Sequence, residues 1–396
     1  MKILVCNVGS TSLKYQLRTA EPPQRVLARG GAERVGQAKS TFYTTDPQSG
    51  EKTFTDDAFP THQEAIQRML DALCPTCIAS LSELDCVAFK VVHAKGVTGT
   101  RFLTDDVLEA MEAFNSVAPA HNPPYLAAIR LFRKLLPDTP LIGAFETAFH
   151  AQMPPEASLY SIPLSLSKEH AIRRYGFHGA SHEYLSRFAM QRLGLPHTKI
   201  VTCHLGGSGS ICAVKDGVSV DTSMGLSLQC GIMHNNRCGD IDPYIIFYLV
   251  EECGMTLSAV KTMLQTKSGF FGMTDGLSGD LRDIETAAEA GNMDAKNAIC
   301  SYAYSIRKYI GAYAAAMGGL DAIVFGGGIG TNSPTVRRLA LERLEFLGIM
   351  IDPGKNAGGE EDISSGDSSV RIYLTETDEE QIVAEKAAAL LSGRKP

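Results

Sequence analysis

The sequence has no tryptophan, no long apolar run and little excess charge. No apolar stretch approaches the roughly 20 residues that a membrane-spanning helix needs. The net charge of −7 and the pI near 5.8 give no basic surface for nucleic acid. A signal peptide is not expected either, because the apolar residues 3–5 are followed at once by polar ones. We therefore expect a cytoplasmic protein that contacts neither membranes nor nucleic acid.

A disulfide framework and a zinc site are not expected. Most of the ten cysteines lie inside apolar runs, where reduced thiols act as small core residues. Cys74 and Cys77 form a lone CxxC without a second pair or a preceding strand. His178 and His182 are four residues apart, a spacing that can place two metal ligands on one helix face, but no third ligand is evident.

Residues 199–243 carry the densest set of chemical signals. The pattern predicts a buried strand, a glycine-serine turn at 205–210 and two further strands. Backbone N–H groups in such a turn form a concavity that suits a phosphate. His204 and Arg237 can bring further donors to the same anion.

The N-terminus repeats this plan. It has a strand at 2–6, a turn at 7–12 and a returning strand at 13–17 that carries Lys14. Two such hairpins, about two hundred residues apart in the sequence, indicate two related halves that bring two phosphate loops to one polyphosphate. The alternative is two ordinary hairpins without a ligand.

Two charged residues lie on or beside apolar strands. Lys90 interrupts the strand predicted at 84–93, so its ammonium must reach either an anion or the solvent. Glu146 follows the strand predicted at 141–145. A carboxylate at that end of a strand points into the usual ligand crevice of an α/β sheet, where it can hold Mg²⁺ directly or through water.

Further elements follow from caps, prolines and periodicity. Residues 294–317 form a long helix whose apolar stripe is either core or a subunit interface. In the first half, a helix is expected from the capping box at Thr61 to residue 73, and another at 105–116 that the prolines of 118–124 stop. Further on, a helix with Pro243 as its first residue and a glycine-rich loop at 267–283 are expected. Near the end, we expect a strand at 322–325 that runs into a glycine-rich turn before a helix at Pro334, a strand at 370–374, and a last helix after a capping box at 377–380.

These motifs resemble the acetate kinase family over nearly the whole chain. The resemblance rests on NVGSTSLKYQL (7–17), VVH (91–93), APAHNPP (118–124), TAFH (147–150), RRYGFHGASH (173–182), HLGGSGS (204–210), DTSMG (221–225), RCGDIDP (237–243), SGDLRD (278–283), GGIGTNS (327–333) and TDEE (377–380). It implies an α/β, duplicated actin/sugar-kinase/Hsp70-type (RNase H-like) fold with a nucleotide cleft. An acyl and phosphate domain would span residues 1–150, with helix 380–396 packed back on it, and a nucleotide domain would span 151–379.

The resemblance also implies a reaction and its residues. The reaction is Mg²⁺-dependent (or Mn²⁺-dependent) phosphoryl transfer from ATP to acetate or propionate, carried out by a homodimer. The implied catalytic residues are His178, Arg237, Glu146 and His121, and the implied acyl-site residues are Lys90, Val92, Ala120, Phe177 and Leu228. Phosphate and nucleotide contacts are implied for Asn7, Ser10, Ser12, Lys14, His204, Gly206, Gly207, Ser208, Gly209, Asp280, Leu281, Arg282, Gly327, Gly328, Ile329, Gly330 and Asn332, and metal contacts for Asn7, Glu146 and Glu379.

The sequence departs from the family pattern at several of these positions. Lys90 replaces the arginine of R-V-V-H-G-G, Glu146 replaces an aspartate, and Gly207 replaces the asparagine of H-L-G-N-G. Residues 234–236, His-Asn-Asn, replace M-G-T. In the acyl pocket, Ala120 replaces a leucine and Leu228 a proline. These changes motivate an alternative, a catalytically weakened or pyrophosphate-using relative that binds nucleotide or acyl phosphate as a sensor.

Overall fold

The structure is a computed structural model that describes residues 1–21, 23–74 and 76–393. Pro75 of the CxxC pair and residues 394–396 of the expected last helix lie outside the described residues. The strands are β1 (Lys2–Gly9), β2 (Ser12–Thr19), β3 (Val26–Glu33), β4 (Ser40–Thr45), β5 (Lys52–Asp57), β6 (Cys86–Val91), β7 (Thr100–Phe102), β8 (Leu141–Phe145), β9 (Lys199–Leu205), β10 (Gly209–Lys215), β11 (Val218–Thr222), β12 (Ala322–Gly326) and β13 (Arg371–Leu374).

Helices account for much of the remaining chain. The α-helices are α1 (His62–Leu73), α2 (Asp105–Glu112), α3 (Asn122–Leu135), α4 (Pro155–Ser158), α5 (Leu164–His170), α6 (Gly179–Leu193), α7 (Tyr244–Glu251), α8 (Leu257–Thr266), α9 (Gly269–Met273), α10 (Leu281–Glu289), α11 (Met293–Met317), α12 (Gly327–Asn332), α13 (Pro334–Leu341), α14 (Pro353–Gly358) and α15 (Glu379–Leu391). Short 3₁₀ turns lie at Leu81–Glu83, Ala148–His150 and Glu345–Leu347.

The chain divides into two compact units. The first unit contains Met1–Ala148 and the residues from Asp378 onward, so it includes α15. The second unit contains Phe149–Thr377.

The first unit is built on a mixed sheet in the order β5-β4-β3-β2-β1-β6-β8-β7. Strands β1 to β5 form an antiparallel meander, and β6 and β8 run parallel to β1. Small residues of α15, including Ala384 and Ala387, pack on Ile3 and Val5. Phe132 of α3 meets Phe89 of β6 edge to face, with 5.2 Å between the ring centroids.

The second unit has a sheet in the order β11-β10-β9-β12-β13. Strands β9 to β11 are antiparallel, and β12 and β13 run parallel to β9. The same arrangement, three antiparallel strands followed by two parallel ones, occurs in the first unit as β3-β2-β1-β6-β8. The two hairpins noted in the sequence are therefore equivalent parts of two sheets with the same topology.

The apolar stripe of α11 belongs to the core of the second unit. Its residues are buried together with side chains of β9, β10 and β12: Ala298, Ile299, Tyr302, Ile306, Ile310 and Tyr313. Of the two interpretations of this stripe, core or subunit interface, the structure supports the core.

Prolines caused the clearest error in the expected elements. The helix predicted at 105–116 does end before residues 118–124, but an unpredicted helix, α3, begins at Asn122 with prolines in its first turn and His121 at its N-cap. Proline is tolerated there, since the first N–H groups of a helix have no partner within the helix. Helix α2 ends earlier than predicted, at Glu112. Pro243 is the N-cap of α7 and not its first residue.

Other differences concern turns and caps. The first hairpin turn is limited to Ser10 and Thr11, because the strands run to Gly9 and resume at Ser12. The last helix is capped by Asp378, whose side chain accepts from the N–H of Gln381, and not by Thr377. The regions predicted as glycine-rich turns at 267–283 and 326–333 contain the short helices α9 and α12. The capping box at Thr61 is present as predicted.

All ten cysteines are free thiols, including Cys74 and Cys77. Among the described helices, none combines the length and the apolar character needed to cross a membrane.

Candidate active-site residues in the two units

The first hairpin places two expected phosphate ligands side by side. Asn7 on β1 and Lys14 on β2 are paired across the ladder, so both side chains point to the same face of the sheet. The ammonium of Lys14 is exposed, whereas Oδ1 of Asn7 accepts a hydrogen bond of 2.9 Å from the hydroxyl of Tyr125. Ser10 and Ser12 flank the tip of the same hairpin.

Lys90 lies at the centre of a charged cluster in the first unit. Its Nζ is 3.2 Å from Oε1 of Glu146 and also donates to Glu379, the first residue of α15. The three side chains are 18%, 5% and 12% exposed, respectively. Burial alone would lower the pKa of Lys90, but the two carboxylates outweigh it and raise the pKa well above its usual value. Lys90 therefore reaches an anion and does not extend into solvent.

The remaining expected residues of this unit lie near the start of α3 and the end of β6. His121 is the partly buried N-cap of α3, Ala120 beside it is exposed, and Val92 is buried just after β6.

In the second unit, His178 has an uncommon backbone conformation. It is the N-cap of α6 with φ 57°, in the left-handed region that residues other than glycine rarely occupy. Such conformations persist only where the surroundings enforce them, and they concentrate at functional positions. Nδ1 of His178 is 2.7 Å from Oγ of Ser210, which fixes the plane of the ring.

Ser210 also joins His178 to a second histidine. Its Oγ is 2.7 Å from Nε2 of His182, whose Nδ1 is in turn 2.7 Å from Oγ1 of Thr202. Both ring nitrogens of His182 are thus engaged with hydroxyl groups of β9 and β10. Burial, followed by the charges that His150 and His204 can carry, holds the pKa of His182 well below its usual value.

His150 and His204 complete an imidazole cluster with His178 and His182. Nε2 of His150 donates to the carbonyl of Phe177 at 3.0 Å, and its Nδ1 is 2.8 Å from Oγ of Ser219. Burial lowers the pKa of His150 to about 4, so this ring is neutral at pH 7. The ring centroid of His204 lies 4.3 Å from that of His178, and its Nδ1 is 2.7 Å from Oγ of Ser181.

Arg237 is a partly buried cation of the second unit. Its NH1 donates to the carbonyl of Leu228 at 2.7 Å, and burial lowers its pKa to about 10. Leu228 and Phe177, both expected in the acyl pocket, are buried. Nδ1 of His234 accepts a 3.1 Å hydrogen bond from the N–H of Gly209 and so braces the second hairpin loop.

Three separate sequence motifs converge on one cavity of about 650 Å³ in the second unit. The hairpin loop, the N-terminus of α10 and the helix α12 each contribute to its wall. The lining residues are Gly206, Gly207, Asn235, Asp280, Leu281, Arg282, Glu285, Gly328, Ile329, Asn332 and Ser333. Most of them were expected to contact nucleotide; His204, Ser208, Gly209, Gly327 and Gly330 were expected as well but do not line this cavity.

The cavity wall depends on the close approach of the α12 and β9 backbones and on the charged N-cap of α10. Gly327 has φ +76°, and a Cβ added there would lie 2.6 Å from the carbonyl oxygen of Leu205, so only glycine lets α12 start this close to β9. Asp280 caps α10 and forms a salt bridge with Arg282. This contact with Arg282 lowers the pKa of Asp280 to about 2, so the carboxylate stays ionised.

Sequence reasoning missed Tyr125, Ser210 and Asn235. Tyr125 lies in α3, a helix that the sequence pattern does not predict, although an aromatic residue one turn into a proline-started helix can be found by pattern. Ser210 was seen only as part of a glycine-serine turn. The side chain of Asn235 contacts a loop that lies far from it in the sequence, and no local signal indicates that.

A family model described as the acetokinase family matches residues 2–385. The chain belongs to the acetokinase family. It is 42% identical to an acetate kinase of Coprothermobacter proteolyticus over 400 residues, which cover 99% of this chain and 100% of that protein. Members of this family are phosphotransferases with a carboxyl group as acceptor, and the expectation of such an enzyme is confirmed.

Solved structures agree with this family. An acetate kinase of Porphyromonas gingivalis superposes with a TM-score of 0.88 at 38% identity, covering 98% of this chain and 99% of that one. A propionate kinase of Francisella tularensis superposes with a TM-score of 0.90 at 33% identity, covering 97% and 98%. The predicted duplicated α/β fold is therefore confirmed.

Proposed function

We propose that this chain transfers the γ-phosphoryl group of ATP to acetate or propionate, giving ADP and the acyl phosphate. The observation that carries the proposal is the cavity in the second unit, where three motifs expected to bind nucleotide form one wall. The comparisons support acyl-kinase activity with ATP and do not favour a catalytically weak sensor.

The proposed chemistry asks little of the protein besides positioning and charge neutralisation. A carboxylate is ionised at pH 7, so the nucleophile needs no general base. We assign His178 and Arg237 of the second unit to the transferring phosphoryl group, whose negative charge they would stabilise during in-line displacement. The enforced conformation of His178 and the burial of Arg237 support this assignment, because both fix a donor before the substrate arrives.

We assign the first unit to the acyl and phosphate side, and the second unit to the nucleotide. Asn7, Ser10, Ser12 and Lys14 would contact phosphate groups, and Val92 and Ala120 would contact the acyl chain. Lys90 would supply the positive charge that arginine supplies in relatives, although an ammonium lacks the two-pronged geometry of a guanidinium.

The side chains of the first unit fit a magnesium ion that substrate phosphates help to hold. Glu146 and Glu379 are oxygen donors, and both already converge on one cation, the ammonium of Lys90. Among the described residues no group of three or more His, Cys, Asp or Glu side chains is placed to bind a metal ion by itself. Mg²⁺ characteristically takes one or two carboxylates plus phosphates and water. Asn7, Glu146 and Glu379 would hold it, and the ion would neutralise phosphate charge.

We also propose a cytoplasmic homodimer formed through α7. All eight residues of α7 are at least partly exposed, and Tyr244, Phe247 and Tyr248 are 74%, 53% and 63% exposed. Such an apolar surface is typical of a protein interface. Light scattering should give a dimer mass for the natural chain and a monomer mass for Tyr248→Glu. The ten free thiols are typical of a reducing compartment.

Trapping the product with hydroxylamine tests the reaction. We expect acyl hydroxamate with ATP and Mg²⁺ from acetate or propionate, less from butyrate, and none when EDTA replaces the metal. Pyrophosphate in place of ATP forms a parallel arm, because Gly207 alters a phosphate loop. If none of the three carboxylates gave hydroxamate with ATP, the proposed function would be wrong.

A further inference from the structure

Two stretches that differ from the family pattern given by the resemblance lie in contact within the second unit. One is Gly207, and the other is the segment His234-Asn235-Asn236. The N–H of Asn235 donates to the carbonyl of Gly207 at 3.0 Å. The N–H of Gly209 donates to the ring of His234 at 3.1 Å. Residues 234–236 are therefore hydrogen-bonded to the hairpin loop that contains Gly207 at two points.

The side chain of Asn235 lies next to the position that a side chain at 207 would take. A Cβ added at Gly207 would lie 3.0 Å from Nδ2 of Asn235, 3.5 Å from its Cγ and 3.7 Å from its Oδ1. Gly207 does not adopt a positive φ, so the backbone does not require glycine there. What restricts a side chain at 207 is the amide group of Asn235.

Asn235 also lines the cavity that the proposed function assigns to the nucleotide. It lines the same 650 Å³ space as Gly207 and Asp280, and it is partly exposed. Its backbone is fixed on the other side as well, because its carbonyl accepts from the N–H of Phe271 at 2.9 Å. A primary amide offers two N–H donors, and these suit phosphate oxygens near a glycine-rich loop.

We infer that Asn235 supplies to the phosphates of the bound nucleotide the side-chain amide that the family pattern H-L-G-N-G has at position 207. The two departures are thus one exchange, in which the amide has moved from the hairpin loop to the neighbouring segment. This inference rests on the proposed function, because it assigns the nucleotide to this cavity. It makes Asn235 a binding residue for ATP and ADP.

Calorimetric titration of the full chain with ADP and with adenosine tests the inference. Asn235→Ala removes the amide but keeps the backbone contacts, and we expect ADP to bind about tenfold more weakly, as for loss of one hydrogen bond to a charged group. Adenosine, which lacks phosphates, should bind as before. Asn235→Asp keeps the shape but replaces donors by a negative charge, so the loss for ADP should be larger. Asn236→Ala is the matched control, since that neighbouring side chain is exposed.

The exchange itself can be reversed. Gly207→Asn alone should weaken ADP binding, because its side chain would crowd Nδ2 of Asn235. The double variant Gly207→Asn with Asn235→Ala should bind ADP within about threefold of the affinity of the natural chain. That difference is smaller than the roughly tenfold loss expected for Asn235→Ala alone. Thermal unfolding of each variant checks that the loop is intact.

Two results would overturn the inference. One is an Asn235→Ala variant that binds ADP as tightly as Asn236→Ala does. The other is a double variant that binds no better than Asn235→Ala. A natural chain that binds ADP yet yields no acyl hydroxamate would refute the proposed reaction but leave this binding comparison valid.

Discussion

The polar clusters of the two units are held together by different forces. In the first unit, the ammonium of Lys90 contacts two carboxylates, so the cluster depends on full charges in a mostly buried place. In the second unit, four histidine rings lie close together, each bonded to hydroxyl or carbonyl groups, and burial keeps at least His150 and His182 neutral. One cluster depends on charge being present, and the other depends on charge being absent.

This difference predicts how the stability of each cluster responds to substitution and to protonation. Removing one member of a buried ion group leaves an uncompensated charge, which is far more costly than losing the pair as a whole. A neutral hydrogen-bonded cluster tolerates the loss of a single hydrogen bond. Protonation of its histidines is unfavourable, because a buried imidazolium has lost its hydration.

Lys90→Met should have the largest effect. It leaves Glu146 and Glu379 close together without their shared cation, and we expect the free energy of unfolding to fall by about 3–5 kcal/mol. Urea unfolding followed by circular dichroism measures this. Lys39→Met, at an exposed position, is the control and should change little.

Substituting both partners of the Lys90–Glu146 ion pair tests whether the lengths of the two side chains are matched. Lys90→Arg lengthens the cation and Glu146→Asp shortens its partner, so each single change should cost stability while the double variant recovers most of it. Additive losses in the double variant would show that the two positions are not matched to each other.

His178→Ala should lower kcat by about 10²–10³, as for loss of one preorganised donor to a developing negative charge. Stability should change much less than turnover, because His178 is only partly buried, whereas His150 and His182 are fully buried. His197→Ala, whose ring is 85% exposed, is the matched control. A variant that kept full turnover would remove His178 from the proposed chemistry.

Acid should weaken the second unit through His150. Its pKa is about 4 in the folded protein, against about 6.5 in an unfolded chain. Above pH 6.5 the ring is neutral in both states. Between pH 6.5 and 4 only the unfolded state binds the proton, so stability falls as pH falls, by about 3 kcal/mol over this window. His182 acts in the same direction.

Denaturant midpoints measured from pH 7 to pH 4.5 check this, and His150→Gln should flatten the slope. An unchanged slope in that variant would mean that other groups dominate the acid response.

Ser210→Ala should have the smallest effect, a fall in kcat of about fivefold to tenfold, because it removes one hydrogen bond that orients His178. When Ser210 donates to Nδ1 of His178, the ring proton of His178 lies on Nε2. Without that donor the other tautomer becomes accessible, so the pH profile of kcat should shift as well. Ser165→Ala, on an exposed face, is the control, and an unchanged profile would limit Ser210 to packing.

Local signals in the sequence were enough for most strands and for the positions of the glycine-rich segments, but not for the short helices α9 and α12 within them. The hairpins at Lys2–Thr19 and Lys199–Lys215 and the capping box at Thr61 were predictable, because each depends on neighbours within a few residues. The start of α3 cannot be told from the prolines alone, because proline can end one helix and is equally compatible with the first turn of the next.

The contacts within the clusters could not be predicted in the same way. Glu379 meets Lys90 from 289 positions away, and Ser210 meets His182 from 28 positions away. These contacts are set by the strand order and by where α6 and α15 pack. The departures at Lys90 and Glu146 were visible in the sequence, but not that the two side chains touch.

Helix α15 has a consequence for how the polypeptide matures on the ribosome. Its alanines fill the core beside Ile3 and Val5, yet they are translated only after the entire second unit. The sheet face of the first unit therefore stays uncovered until α15 has been synthesised, by which time the second unit has all its strands. Folding order in the cell should thus run opposite to chain order, with the earlier-made half finishing last.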